Sequence, residues 1–242
     1  MGLITGTRHF FDRTTSDSTN LVTSTLTQSS TTAFQVVSVL NTVATGTAPT
    51  LEITGPAGSQ WSQIGTQTFN TNLKRVTLFR SMGAWSNSSG SLRIDADGTT
   101  MTSWFVEAME FGNVTTTGDN GENAVVASAT TTATASQLTM KMSSFASTKN
   151  GVYAVYGFNA NEVATVGSNL TRLSANGLAT PTTGFVSCWW DEQNTTPDAF
   201  FSGSVAGRGI AIELSTNTDV SGGGVVGNSV ALRQSLSRRR RR

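Results

Sequence analysis

This 242-residue chain has one histidine and one cysteine, so it offers one imidazole base and one thiol for catalysis. A catalytic nucleophile normally needs a base beside it. His9 lies in a polar segment before the first clear strand pattern, so we expect a surface histidine near Phe10. Cys188 lies in an apolar strand pattern and is expected to be a small core residue. One cysteine excludes an internal disulfide. His9 and Cys188 together cannot supply the three or four protein ligands of a zinc site.

Carboxylates are the remaining candidates for catalysis. Glu107 and Glu110 are three residues apart on a predicted strand, so their side chains should point to opposite faces and cannot form a glycosidase pair together. Glu107 could pair with Asp191 or Glu192 of another strand, but charges on an exposed strand face are the commoner explanation. We therefore predict a protein that is not an enzyme, with no catalytic residue and no cofactor.

The stretch Asp95-Ala-Asp-Gly98 resembles the start of a calcium-binding loop. The stretch lacks the later oxygen ligands and the closing glutamate of that motif. A tight Asp-Gly hairpin turn explains the same residues. We therefore predict no metal ligand, with Asp95 and Asp97 as the residues to check.

Three tryptophans are candidates for binding a glycan or another subunit. Trp189 and Trp190 are adjacent on a predicted strand, so one should fill the core while the other is exposed. An exposed tryptophan beside Asp191 and Gln193 would suit carbohydrate recognition, and a contact between subunits fits equally well. Trp85, in a Gly/Ser/Asn-rich loop, is the third candidate.

The elements around these residues are predicted to be strands. The chain contains 40 Thr, 29 Ser and 24 Gly, and only 13% of its residues are charged. Threonine favours strands, and serine and glycine favour turns. Short apolar runs recur at the spacing of an all-β sandwich, about 8–12 residues. We predict an antiparallel, jelly-roll-like β-sandwich of roughly ten to twelve strands. The clearest predicted strands are 21–27, 33–40, 51–54, 76–80, 91–95, 103–111, 138–142, 151–158, 170–173, 185–190 and 209–214.

The predicted organisation is one domain between two chain ends of different character. Residues 1–20 are predicted to be an N-terminal arm or a first edge strand, and 21–215 the sandwich. Residues 216–242 are predicted to be a Gly-rich C-terminal arm that ends in five arginines. The Ala/Thr/Ser run at 124–137 is expected to be extended, either as a strand on an exposed face or as a crossing connection. Turns are predicted at 174–177 and 180–184.

Charge is distributed unevenly along the chain. Residues 1–237 carry 11 basic and 15 acidic residues, a net charge of −4, and the terminal arginines add +5. Such a run can bind phosphates or a carboxylate-lined pocket, or can be a solvated tail. The use of arginine alone suits bidentate pairing with a protein partner, and the absence of a basic face on the body argues against nucleic acid. The predicted partner-binding residues are Arg238, Arg239, Arg240, Arg241 and Arg242.

No targeting segment is apparent. Residues 1–8 lack the apolar region of a signal peptide. No run approaches the roughly 18 apolar residues of a membrane helix. We therefore expect synthesis and folding in a cytoplasm and no membrane partner.

The order of strands and turns resembles the jelly-roll or concanavalin-like β-sandwich modules of bacteriophage structural proteins. The resemblance covers about residues 20–215 and consists of strand and turn signatures without a catalytic set; the five terminal arginines are not part of it. Its segments are 14–23, 34–40, 49–64, 75–80, 90–94, 104–111 and 209–214.

The resemblance implies a virion component such as a capsid decoration, head-fibre or tail-surface protein. It implies no enzymatic residue. The leading hypothesis is a non-enzymatic, homo-oligomeric structural protein on the surface of a tailed-phage particle, in contact with capsid or tail subunits. The alternative is a carbohydrate-binding adhesin module of a tail or head fibre that binds a glycan on the host surface.

Overall fold

The computed structural model describes residues 4–86 and 88–217, and these fold almost entirely into antiparallel strands. Fourteen strands and one short 3₁₀ segment, Asp119–Ala124, are present in this part of the chain. No helix there has the length and hydropathy needed to cross a membrane. The predicted all-β, sandwich-like antiparallel fold is confirmed, with slightly more strands than expected.

The central sheet has five strands and is buried on both faces over most of its area. Strand β3 (Phe34–Thr42) is buried at every position, as its nearly continuous apolar sequence predicts. The order across the sheet is β1 (Thr5–Thr14), β8 (Ser103–Gly112), β3 (Phe34–Thr42), β6 (Lys74–Ser81) and β5 (Ser62–Phe69).

The second sheet packs face to face against the central sheet and has six strands. Strand β14 (Asp198–Leu214) has 17 residues and pairs with three neighbours along its length. The strands are β11 (Thr165–Val166), β14 (Asp198–Leu214), β10 (Gly151–Phe158), β13 (Thr182–Trp190), β12 (Thr171–Ala179) and, beside β14, β9 (Val125–Thr139).

A third, smaller sheet covers the other face of the central sheet. Its order is β2 (Asn20–Thr27), β7 (Ser89–Asp95) and β4 (Glu52–Thr54). Leu26, Leu92 and Ile94 pack from it onto Val106 and Trp104 of the central sheet. The arrangement is therefore three sheets in layers.

Three apolar clusters follow from this layering. One lies between the two large sheets and includes Phe105, Phe111 and Phe185. The second lies beneath the three-stranded sheet. The third covers the outer face of the six-stranded sheet and includes Met140 and Tyr156. Both large sheets are thus covered on two sides, so side chains on either face of their central strands are buried.

Several local expectations need revision. Residues 5–14, for which an arm or an edge strand was predicted, form edge strand β1 of the central sheet. Residues 140–142 lie outside any strand, and the turn predicted at 174–177 lies within β12. The tight turn at Asp97–Gly98 is present, with φ of 49° and 72°, but it connects β7 and β8, which belong to different sheets. It is therefore not a hairpin.

Candidate functional site

The most buried carboxyl group of the central sheet, that of Glu107, lies between the two large sheets. Glu107 is on β8 and is fully buried. Its Oε2 accepts a hydrogen bond from the Tyr153 hydroxyl at 2.9 Å, and its Oε1 accepts one from Ser174 at 2.5 Å. Tyr153 is on β10 and Ser174 is on β12, so the carboxyl group joins the central sheet to two strands of the second sheet.

Further polar groups extend this network across both sheets. Ser38 of β3, opposite Glu107 in the ladder, hydrogen-bonds to the Tyr153 hydroxyl. Arg8 of edge strand β1 donates to the Ser174 hydroxyl at 3.0 Å and to the Leu173 carbonyl. We call Arg8, Ser38, Glu107, Tyr153 and Ser174 the inter-sheet network.

Burial dominates the electrostatics of this network. It raises the pKa of Glu107 above its usual value, although the hydroxyls of Ser174, Ser187 and Tyr153 and the charge of Arg8 act in the opposite direction. Burial, together with the neighbouring Glu107, also raises the pKa of Tyr153 well above its usual value. Glu107 and Tyr153 are fully buried inside the sandwich, while Arg8 reaches the network from its exposed edge, so the network is a polar connection between sheets.

Two expectations about carboxylates can now be compared with the structure. Glu107 and Glu110 do lie on opposite faces, as predicted. The expectation that they are exposed strand-face charges is wrong: their exposed fractions are 0% and 7%. Both large sheets are covered on two faces, which leaves no solvent-facing side at these positions. The Glu107 carboxyl group bonds with hydroxyls rather than with the carboxyl groups of Asp191 or Glu192.

Glu110 has a separate set of partners at the margin of the central sheet. Its carboxylate accepts hydrogen bonds from the Ser29 backbone amide at 3.0 Å and from Gln35 at 2.5 Å, and His9 Nε2 lies 3.4 Å away. Burial opposes ionisation of Glu110, but the nearby His9 and the hydrogen bonds from Ser29 and Gln35 outweigh it and lower its pKa to about 2. His9, expected at the surface near Phe10, is 15% exposed and contacts this carboxylate.

A cleft of about 460 Å³ opens at one end of the sandwich, and Lys74 lines it. The Lys74 ammonium donates to Asn159 Oδ1 at 2.5 Å and to the Thr182 carbonyl, so it too links the two large sheets. No carboxylate is within ion-pair distance of Lys74 in the described part of the chain. Burial lowers its pKa to about 8. The cleft presents one buried cation among neutral acceptors.

The three candidate tryptophans lie in three different apolar clusters. Trp85 is 8% exposed, donates to Ser81 at 3.2 Å and packs against Trp61, so it is not a surface aromatic. Trp189 is half-buried against the cluster between the large sheets, and Trp190 is half-buried on the opposite face. The structure therefore does not combine them into one binding platform.

The other predicted residues are easily placed. Cys188 is a fully buried core residue, as expected, and burial raises its thiol pKa. The Asp95 carboxylate forms an ion pair with Arg93 at 2.8 Å and accepts a hydrogen bond from the Asp97 amide at 3.0 Å. These local contacts of the turn account for the presence of Asp95 and Asp97. The five terminal arginines, Arg238 to Arg242, lie outside the described residues.

The longest exposed feature is strand β9, which forms an edge of the six-stranded sheet. It pairs with β14 on one side, and no strand pairs with its other side within residues 4–86 and 88–217. Side chains alternate between exposed and half-buried along most of its 15 residues. Its outer backbone groups form a row of unpaired donors and acceptors, which is a template for strand addition.

Sequence reasoning did not identify the inter-sheet network, the Lys74 cleft or the open edge as sites. Glu107 had a usable signal, because Trp104, Phe105 and Val106 precede it and Ala108 and Met109 follow it. A carboxyl group in such a doubly apolar run must be buried and needs partners. The partners themselves come from strands far away in sequence and carried no local signal.

Comparison with known proteins adds no relative: no family model, curated protein or solved structure matches this chain.

The inter-sheet network predicts a large difference between two substitutions of Glu107. Glu107→Ala leaves the Tyr153 and Ser174 hydroxyls without their acceptor and opens a cavity, which should lower the free energy of unfolding by roughly 3 kcal/mol. Glu107→Gln keeps an acceptor and the volume and should cost less than about 1 kcal/mol. Urea unfolding at pH 7 measures both. Equal, small effects would contradict a connecting role.

Lys74 predicts a distinct dependence of stability on pH. Its pKa is about 8 in the folded protein against 10.5 ordinarily, so between these values the unfolded chain binds more protons. Its contribution to the free energy of unfolding should therefore rise with pH across this window. We expect the wild type to gain stability relative to Lys74→Met between pH 8 and pH 10. Parallel pH profiles in urea unfolding would rule out the burial effect.

Proposed function

We propose that this chain is a non-enzymatic structural protein that acts by assembling with other protein subunits. The observation that carries the proposal is the open edge of β9, a strand of 15 residues without a charged side chain. Natural edge strands are commonly protected by lysine, proline or a bulge, or are very short. The β9–β14 ladder is irregular only near its ends, and the segment from Ala127 to Ala135 has none of these protections, so it suits strand addition by a partner.

The distribution of polar chemistry supports the same proposal. The Glu107 carboxyl group lies in the core, where its hydrogen bonds within the inter-sheet network stabilise the alignment of the two large sheets. Exposed positions of β9 carry Thr, Ser, Val and one Gln, which allow close packing between subunits without the removal of water from charges.

The proposed setting is the surface of a tailed-phage particle, as a capsid decoration or a related surface protein. Support for it comes from the resemblance of residues 20–215 to phage β-sandwich modules. In this setting the five terminal arginines would add contacts with acidic groups of a neighbouring subunit.

Binding to particles tests this proposal. Full-length protein should cosediment with undecorated phage capsids or tails. Thr130→Lys/Thr132→Lys places charges on the exposed face of β9 and should reduce the bound fraction at least tenfold. Replacement of Arg238–Arg242 by serine in the full-length chain measures the contribution of the tail.

The outcomes separate the two functional hypotheses. If wild-type protein stays in the supernatant with every particle preparation, the assembly proposal fails. Binding on a glycan array together with a change in tryptophan fluorescence would instead support the carbohydrate-binding alternative.

A further inference from the structure

The open edge of β9 is regular over a defined central segment. The ladder between β9 and β14 has irregularities near each end, between Phe200 and Val205 and between Glu213 and Leu214. Between these irregularities, Ala127 to Ala135 pair with Glu213 to Val205 without a break. This nine-residue segment can therefore present a straight run of backbone donors and acceptors on its outer side. Its midpoint is Thr131.

The sequence around Thr131 is nearly symmetric. Thr130 and Thr132 flank it, Ala129 and Ala133 come next, and Ala127 and Ala135 lie four positions out. Ser128 and Thr134 occupy the remaining pair of positions and are both small hydroxyl residues. Antiparallel pairing of this segment with an identical copy would thus place each side chain opposite one of the same or nearly the same size.

Burial follows the same symmetry. Within this segment Ser128, Thr130, Thr132 and Thr134 are exposed, and the alternate positions are half-buried. A two-fold axis perpendicular to the sheet keeps the two faces of each strand on their own sides. Hydroxyl side chains would therefore meet hydroxyl side chains, and alanines would meet alanines.

From these observations we infer that β9 pairs with β9 of a second copy, antiparallel and centred on Thr131, to join two six-stranded sheets into one. The inference rests on the proposed assembly role and names the partner at that edge. The near-symmetry of residue size and burial about Thr131 favours a second copy over an unrelated chain. In a two-fold strand pair a charge at the axis position would lie opposite its own copy, and like charges directly opposite each other destabilise a sheet. Thr131, at the axis, carries no charge.

Two double substitutions on the exposed face test the pairing and its register. In the proposed register Thr130 lies opposite Thr132 of the other copy. Thr130→Lys/Thr132→Lys therefore creates two repulsive pairs, and Thr130→Lys/Thr132→Glu creates two attractive pairs. Register shifts that centre the axis on Thr130 or Thr132 would bring like charges together in the second variant as well.

Sedimentation equilibrium of the full-length proteins, without particles, is the measurement. We expect a wild-type dimer, an increase in its dissociation constant of at least tenfold in the Lys/Lys variant, and a value within about threefold of wild type in the Lys/Glu variant. Far-ultraviolet circular dichroism and thermal unfolding serve as the folding control, since both positions are exposed.

Three results would overturn the inference. A wild-type protein that stays monomeric excludes self-pairing, and a Lys/Lys variant that still dimerises excludes β9 as the interface. A Lys/Glu variant as weak as Lys/Lys excludes the Thr131 register. Self-pairing and the proposed function can fail separately. A monomeric wild type whose particle binding is lost in the Lys/Lys variant would exclude the second copy and keep the assembly role.

Discussion

The carboxyl group of Glu107, on the central sheet, is fully buried between two sheets, and its hydrogen-bond donors come from the six-stranded sheet. The Glu107 oxygens accept hydrogen bonds from the hydroxyls of Tyr153 on β10 and Ser174 on β12. Arg8 donates a hydrogen bond to Ser174 and so connects β1 to the network. A sliding movement of one sheet over the other would break these bonds and leave a buried carboxyl group unpaired, at a cost of a few kcal/mol. Apolar packing alone is less specific about alignment, so we assign the relative position of the sheets to this network.

A second constraint acts at the edges of the sheets. Residues 5–14 supply one edge of the central sheet, and β12 and β9 supply edges of the six-stranded sheet. Edge strand β12 carries Arg172, and β1 carries Arg8 and Arg13, whereas the edge strands β9, β5 and β2 carry no charge. Of these three uncharged edges β9 is the longest, with 15 residues against 8 in each of the others, so it offers the longest template for strand addition. The inter-sheet network fixes the six-stranded sheet relative to the central sheet. Because β9 is an edge of the six-stranded sheet, the network also fixes the orientation of that edge.

Much of the fold was predictable from sequence, because it depends on local patterns. Threonine-rich alternation with Gly and Ser turns predicts strands, and the apolar run of β3 predicts burial on both faces. The turn at Asp97–Gly98 was predictable from residue type, but the sheets that it connects were not. Whether a strand end stays paired depends on neighbours that are distant in sequence. This explains why residues 140–142, predicted to continue a strand, lie outside one, and why the turn predicted at 174–177 lies within β12.

The candidate sites were less predictable for a related reason. Exposure of Glu107, Glu110 and Trp85 could not be judged until the third sheet and the outer cluster were known to cover both large sheets. The run at 124–137 was expected to be extended, and its pairing with β14 makes it an edge. Its near-symmetry about Thr131 is visible in the sequence but gains meaning only at an unpaired edge.

Hydrogen exchange of the β9 amides, followed residue by residue in the full-length protein, is the sharpest test of β9 as the assembly edge. In dilute protein the inward amides of Ala127 to Ala135 should be protected by β14, while the alternating outward amides exchange quickly. On assembly, the outward amides should become protected as well. Outward amides that stay fast in the assembled state, while another surface gains protection, would contradict the assignment of β9 as the assembly edge.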